Sequence, residues 1–162
     1  MTDVFTQEDF NSNNGMLTYV WGPALWHSLH TISFNYPVKP STKQKEDYMN
    51  YFKSLGKVLP CKYCRENYKK NLKKLPLKKN VFKNRDSLSR WVFNLHELIN
   101  TSLGKNSGLT YEIVRSRYEN FRSRCLKKNI KNKEKGCTDP LYGIKSKCII
   151  NIVPKNTRGN TL

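Results

Sequence analysis

The sequence predicts an all-α protein: a four-helix bundle with a short fifth helix, followed by a C-terminal extension of irregular or hairpin structure. Two observations carry this. Apolar residues recur at helical spacing in four separate stretches. Short segments bounded by proline, glycine and side chains that cap helices join those stretches, which is the pattern of a small bundle.

Met1 to Thr18 is expected as a flexible leader. The first helix opens in Trp21-Gly22-Pro23-Ala24-Leu25-Trp26, where Pro23 suits a first turn. Leu25, Leu29, Ile32 and Tyr36 form one apolar stripe; Trp26, His30 and Ser33 form a neighbouring one, and Pro37 ends the helix. Ser41 and Gln44 make a capping box for the second helix. Its face of Tyr48, Tyr51, Phe52, Leu55, Val58 and Leu59 is the clearest amphipathic pattern in the chain. Pro60 ends that helix and begins the third, continued by Tyr63, Tyr68 and Leu72. A connecting loop, Leu75 to Asn80, leads to the fourth, capped by Asp86 or Ser87. Leu88, Trp91, Val92, Leu95, Leu98, Ile99 and Leu103 are its apolar face, and Gly104 is placed for a C-terminal cap. The short fifth helix starts near Thr110, with Val114, Tyr118, Phe121 and Cys125 on one side. Beyond Cys125, Lys127 to Lys135 is a basic run, and Leu141 to Val153 is apolar enough for an extended or hairpin element.

The chemistry concentrates at Pro60-Cys61-Lys62-Tyr63-Cys64-Arg65, the only CxxC in the chain. Cys61 falls at or near a helix N-terminus, where the helix dipole together with Lys62 and Arg65 favours thiolate over thiol. A poised thiol beside a second thiol is an arrangement for thiol–disulfide exchange. Half a zinc site and a structural disulfide are the competing readings. Zinc requires a second ligand pair, and the remaining cysteines, Cys125, Cys137 and Cys148, do not form one.

Composition narrows the function classes. The 162 residues allow one domain with a real core. The formal charge of +18 invites a nucleic-acid reading. Its lysines and arginines, however, are spread through every predicted helix and the tail, so solvation and loose attraction to polyanions is the preferred account, without nucleic acid as a specific partner. The polar N-terminus has no secretory pattern, and no stretch approaches the ~20 apolar residues of a membrane span. A soluble protein made in the cytosol is expected, with cysteines for redox or metal chemistry.

Three motifs in register resemble the Erv/ALR family of FAD-dependent sulfhydryl oxidases: Trp21-Gly22-Pro23-xx-Trp26-xxx-His30, then Pro60-Cys61-xx-Cys64, then Trp91-xxxx-His96-xxx-Asn100-xx-Leu103-Gly104-Lys105. The resemblance covers Tyr19 to Cys125, so the chain divides into a leader (1–18), a flavin-binding oxidase domain (19–125) and a basic extension (126–162). The tail and the Tyr118-xx-Phe121 element are most similar to the forms of large cytoplasmic DNA viruses, which implies the host cytoplasm or the virion as location and virion assembly as context.

The resemblance implies FAD as cofactor, dithiol proteins as substrates, O2 as electron acceptor with release of H2O2, and a homodimer. Cys64 would stand beside the isoalloxazine and Cys61 would exchange with the incoming dithiol. Gly22, Pro23, Trp26, His30, Trp91, His96, Asn100, Lys105 and Tyr118 would bind the cofactor, His96 and Asn100 at its adenosine part and Lys105 at its pyrophosphate. Cys137 and Cys148 are candidates for a shuttle disulfide or, equally, a structural staple, and Cys125 has no assigned partner. Three positions depart from the family pattern. Glu97 follows His96 where Asn is common. Thr110 stands about where many members carry a cysteine bridged to the fifth helix. Leu59 replaces an aromatic residue. The alternative is a basic nucleic-acid-binding module with a structural or zinc-binding CxxC.

Overall fold

The computed structural model describes residues 6–124 and 136–142. Six α-helices follow in order: α1 (Gln7–Asn11), α2 (Thr18–Phe34), α3 (Thr42–Val58), α4 (Lys62–Lys74), α5 (Arg85–Ser102) and α6 (Tyr111–Glu119). Helices α2 to α5 form the bundle. In it α2 packs on α5, α3 on α4, and α4 on α5, with the short α6 laid against α2 and α5. No strand occurs among the described residues; a single antiparallel bridge joins Ser123 to Pro140. Cys125, Cys148, the basic run and all but the first residues of the Leu141–Val153 stretch lie outside the described residues.

Capping explains most of the helix boundaries. Ser41 and Gln44 form the reciprocal box expected for α3. Thr110 caps α6 by accepting from the Ile113 amide. Helix α5 begins earlier than expected: Asn84, not Asp86 or Ser87, is its cap, accepting from the Ser87 amide at 2.9 Å. Helix α2 also starts earlier, at Thr18, so Pro23 lies inside it, and the Tyr19 carbonyl loses its i+4 amide partner. The extra turn is held from outside, by Trp21 Nε1 donating to the Met16 carbonyl at 3.0 Å. The leader carries its own helix, α1, with a Thr6–Asp9 capping box. Pro60 precedes α4 by two residues and is not its first residue, because Cys61 is the cap.

The core contains Leu29, Tyr36, Phe52, Leu55, Leu59, Tyr68, Val81, Phe82, Leu88, Trp91, Val92 and Leu95. Four of the expected apolar positions are exposed: Tyr51, Val58, Leu103 and Phe121. Val81 and Phe82 take up core volume from a one-turn 3-10 segment, Lys79–Phe82, that starts inside the predicted Leu75–Asn80 loop and runs past its end. Two buried tyrosine hydroxyls are satisfied across elements. Tyr36 Oη donates to the Phe82 carbonyl at 3.0 Å, and Tyr68 Oη donates to the Phe52 carbonyl at 2.8 Å. Arg85 Nε donates to the Tyr36 carbonyl at 2.7 Å, so the α2–α3 corner is tied to the start of α5. Helix α6 is fixed by a small second cluster of Phe34, Tyr111 and Val114. A Ser89–Tyr111 hydroxyl contact of 2.7 Å and the Arg122–Glu119 pair, whose guanidinium also reaches the Phe34 carbonyl, complete its anchoring.

Truncating Phe82, which has no exposed surface, removes a whole ring from the junction of three elements. Phe82→Ala should lower unfolding free energy by about 3–5 kcal/mol, measured as a fall in the urea midpoint at unchanged m value.

Candidate functional site: a dithiol at the wall of an aromatic cavity

Both cysteines of the CxxC are free thiols, and the helix start separates them. Cys61 is the cap of α4: its backbone is extended, and its Sγ accepts from the Cys64 amide at 3.2 Å. A sulfur in that position faces the positive end of the helix. The hydrogen bond from Cys64 holds the Cys61 thiol below its ordinary pKa, with smaller help from the Cys64 and Tyr63 amides and the Arg65 charge and a partly opposing contribution from burial. Cys64, one turn in, is raised to about 11, first by burial and then by the hydrogen bond and charge of Cys61. The pair is therefore split into an outer thiolate former and an inner thiol that keeps its proton.

Cys64 lines a cavity of about 720 Å³ between α2, α4, α5 and α6; Cys61 is not among its lining residues. Of the residues singled out as cofactor-binding, Gly22, Pro23, Trp26, His30, His96, Asn100, Lys105 and Tyr118 all line this cavity. Trp91 does not. It is buried in the core with its ring edge-on to Phe52, and its Nε1 has no hydrogen-bond partner. Further residues not singled out from sequence as binding residues also line it, among them His27, Asn67 and Asn71. Asn71 is a nearly buried polar residue three residues past Tyr68 on α4, and its i+7 spacing from Cys64 was the available signal.

The cavity wall is built from flat rings. The Trp26 indole stacks on the His96 imidazole with centroids 3.9 Å apart and planes 5° from parallel. His30 Nε2 and His96 Nδ1 are 3.1 Å apart, and the Tyr118 ring lies 5.3 Å from that of His30. A hydrogen bond between two imidazoles requires one nitrogen without a proton. Burial supplies that condition: it lowers His30 to about 4, with His96 and His27 adding to the effect, and it lowers His96 against an opposing pull from Glu97. His30 Nδ1 is buried with no partner within the protein, so a donor or acceptor on a bound molecule would find it free.

The end of α5 closes the cavity with a compact corner. Gly104 takes a left-handed φ of +66, and the Lys105 amide donates to the Asn100 carbonyl at 2.8 Å while the Gly104 amide donates to Thr101. Glu97, the departure from the family pattern, is not among the lining residues. It accepts from Asn100 Nδ2 at 3.0 Å, so its carboxylate is spent on the neighbouring amide one turn along. Cys137 is disulfide-bonded and lines a separate cleft with Arg85, Arg122 and Arg124. Among the described residues, no three of His, Cys, Asp and Glu converge to hold a metal ion. No described helix is long and apolar enough to cross a membrane.

A four-helix bundle that presents a split dithiol at an aromatic cavity defines a narrow class of redox folds, and comparison with known proteins falls in the same place. The model of the Erv1 / Alr family matches residues 23–119. A probable FAD-linked sulfhydryl oxidase of Acanthamoeba polyphaga mimivirus is 37% identical over 91 residues, 56% of this chain and 63% of that protein. The FAD-linked sulfhydryl oxidase ERV1 of Arabidopsis thaliana is 33% identical, over 52% of this chain and 42% of its own length. The FAD-linked sulfhydryl oxidase of an African swine fever virus isolate is 30% identical over 74% of this chain and 91% of that protein. The chain thus spans less than two thirds of the length of the first two of these relatives. Among solved structures, the FAD-binding domain of Erv1 from Saccharomyces cerevisiae superposes with a TM-score of 0.58 at 22% identity, covering 64% of this chain and 94% of that one. This chain belongs to the Erv1/Alr family.

Two measurements test the electrostatics. His30 binds its proton less readily folded than unfolded, so its contribution to stability is intact above about pH 6.5 and is lost as pH falls toward about 4. The loss should reach on the order of 3 kcal/mol, and the fall of the urea midpoint across that window should flatten in His30→Asn. In the reduced protein, iodoacetamide at pH 7.5 should label Cys61 well before Cys64, read by peptide mass mapping.

Proposed function

We propose that this protein is an FAD-dependent sulfhydryl oxidase that forms disulfide bonds in dithiol proteins. The observation that carries the reading is the division of the CxxC: one thiol turned outward as a helix cap and prone to ionise, the other opening into an aromatic-walled cavity. The residues of that cavity fit a flavin dinucleotide. Its volume is in the range of cofactor pockets. Flat rings offer stacking surface, His30 Nδ1 is a buried polar atom without a protein partner, and Lys105 brings a positive charge to the mouth.

On this reading, Trp26, His30, His96 and Tyr118 would hold and shield the ring systems, Asn100 would meet the adenosine part, and Lys105 the pyrophosphate. Gly22 and Pro23 would shape the near wall. When bound, FAD supplies two-electron chemistry that connects the dithiol to O2, with H2O2 as product. The protein's own part is thiol exchange. A substrate thiolate attacks Sγ of the oxidised Cys61; the Cys61–Cys64 bond breaks and the electron pair leaves on Cys64. A second substrate thiol then attacks the mixed disulfide, the substrate departs oxidised, and Cys61 is released as the thiolate its cap position favours. Cys64 now holds the pair in the cavity, and its raised pKa makes the thiolate, once formed, the stronger nucleophile of the two.

Trp91 has a supporting role in this account. It fixes α5 against Phe52 so that His96, five residues on, faces the cavity. The protein works as a homodimer, to which the exposed Leu17, Tyr19 and Val20 at the start of α2 offer apolar surface. The mimivirus and African swine fever virus relatives support a role in assembling virus particles in the host cytoplasm.

The purified protein should be yellow, bleach with dithiothreitol under nitrogen, and regain colour in air with release of H2O2. Cys64→Ser should keep the colour and lose thiol oxidation, and Cys61→Ser should lose oxidation of protein dithiols. A colourless protein that takes up no added FAD would end this reading.

A further inference from the structure

The leader crosses the dithiol at one place. The Met16 amide donates to the Pro60 carbonyl at 2.8 Å, and the Met16 carbonyl accepts from Trp21 Nε1 at 3.0 Å. One residue earlier, Gly15 lies so close that a Cβ there would stand 2.8 Å from the Pro60 oxygen and 3.1 Å from Cys61 Cα. The first distance is shorter than real Cβ contacts, and both neighbours are backbone, which cannot swing aside as a side chain could. Two hydrogen bonds and one glycine contact therefore clamp a strap, Gly15–Met16, across the peptide that enters the catalytic cap.

We propose that Gly15 and the Met16 backbone are positioning residues for Cys61, holding the Pro60–Cys61 peptide from outside the bundle so that the Cys61 sulfur stays on the end of α4. The need for such a clamp follows from the local chain. Leu59, the last residue before Pro60, caps α3, and Cys61 caps α4, so Pro60 is the single linker between two helices. Proline has no amide to donate, and its carbonyl is used by Met16, not by α4. The extended backbone of Cys61 is what aims its sulfur at the Cys64 amide. Any rotation about this linker carries the sulfur off the helix end, away from the Cys64 amide and thiol, the Tyr63 amide and the Arg65 charge that favour its ionised form. Arg65 reinforces the same segment from inside by donating to the Leu59 carbonyl. The strap itself brings no charge to the thiol, so its effect is geometric. The Met16 side chain points into solvent and is not part of the clamp; its backbone is.

This inference rests on Cys61 being the exchanging thiol, and it is tested without flavin or turnover, so its failure is separate from failure of the oxidase reading. The full chain is reduced, and the rate of iodoacetamide modification of Cys61 is followed against pH by mass mapping. Gly15→Val, which cannot lie on Pro60, and Met16→Pro, which lacks the donor, should each raise the midpoint of that profile by about one pH unit, the scale of losing a hydrogen bond to a thiolate. Met16→Ala should leave it where it is. Unchanged midpoints in Gly15→Val and Met16→Pro, with helical circular dichroism retained, would overturn the proposal. Should either substitution unfold the chain, amide hydrogen exchange of the unsubstituted protein decides. Protection of the Met16 amide at the level of the first turn of α2 supports the strap, and exchange at the rate of free peptide overturns it.

Discussion

Everything at the site depends on a sulfur serving as a helix cap. Most helices begin on an oxygen of Ser, Thr, Asn or Asp, as α3, α5 and α6 do here. Helix α4 begins on Cys61. That substitution joins structure and reactivity in one atom: the group that satisfies an orphan amide is also the group that must ionise. The rest of the bundle serves to hold the second thiol one turn further along. Tyr68 is locked to the Phe52 carbonyl, which sets the rotation of α4 about its axis and turns Cys64 toward α2 and α5.

The cavity behind Cys64 is kept neutral in a molecule of charge +18. Lysines and arginines crowd the surface, yet two imidazoles of the wall, His30 and His96, are kept unprotonated at neutral pH by burial. The one carboxylate that could have spoiled the arrangement, Glu97, is turned to its own helix neighbour. Charge is admitted at the rim, through Lys105, where solvent remains. Such a division lets an anionic group be attracted at the mouth while the interior favours flat, weakly polar surface.

The architecture was legible because helices announce themselves by period and caps. The box at Ser41, the cap at Thr110 and the left-handed Gly104 follow from local chemistry alone. The misjudged details each have a local cause that periodicity does not show. Pro23 reads as a first-turn residue until Trp21 reaches back to Met16 and stabilises one turn more. Val81 and Phe82, just past the Leu75–Asn80 loop, fall in no predicted element because a single 3-10 turn is too short to show a period, though it buries two side chains. Asn84, Asp86 and Ser87 are all side chains able to cap, and only backbone geometry separates them. At the site, the CxxC and the histidines could be found from spacing, since they lie on helix faces. Asn67 and Asn71 share a helix face with Cys64 by spacing, but a polar residue on a basic helix shows that it faces a cavity only once the neighbouring helix is present. Trp91 shows the converse: a motif residue can be essential to the frame without touching the cavity.

The corner at the end of α5 has a thermodynamic consequence. Asn100 and Lys105 are five residues apart, yet one closed ring of main-chain hydrogen bonds, with the left-handed Gly104 inside it, makes them part of a single rigid piece. A ligand that uses both meets a preordered main chain, so that at Lys105 only the side chain remains to be ordered. Residues 106–109, immediately beyond, can then vary in length or sequence without disturbing the contact. The helix terminus acts as a firebreak between the part of the chain that must be exact and the part free to drift.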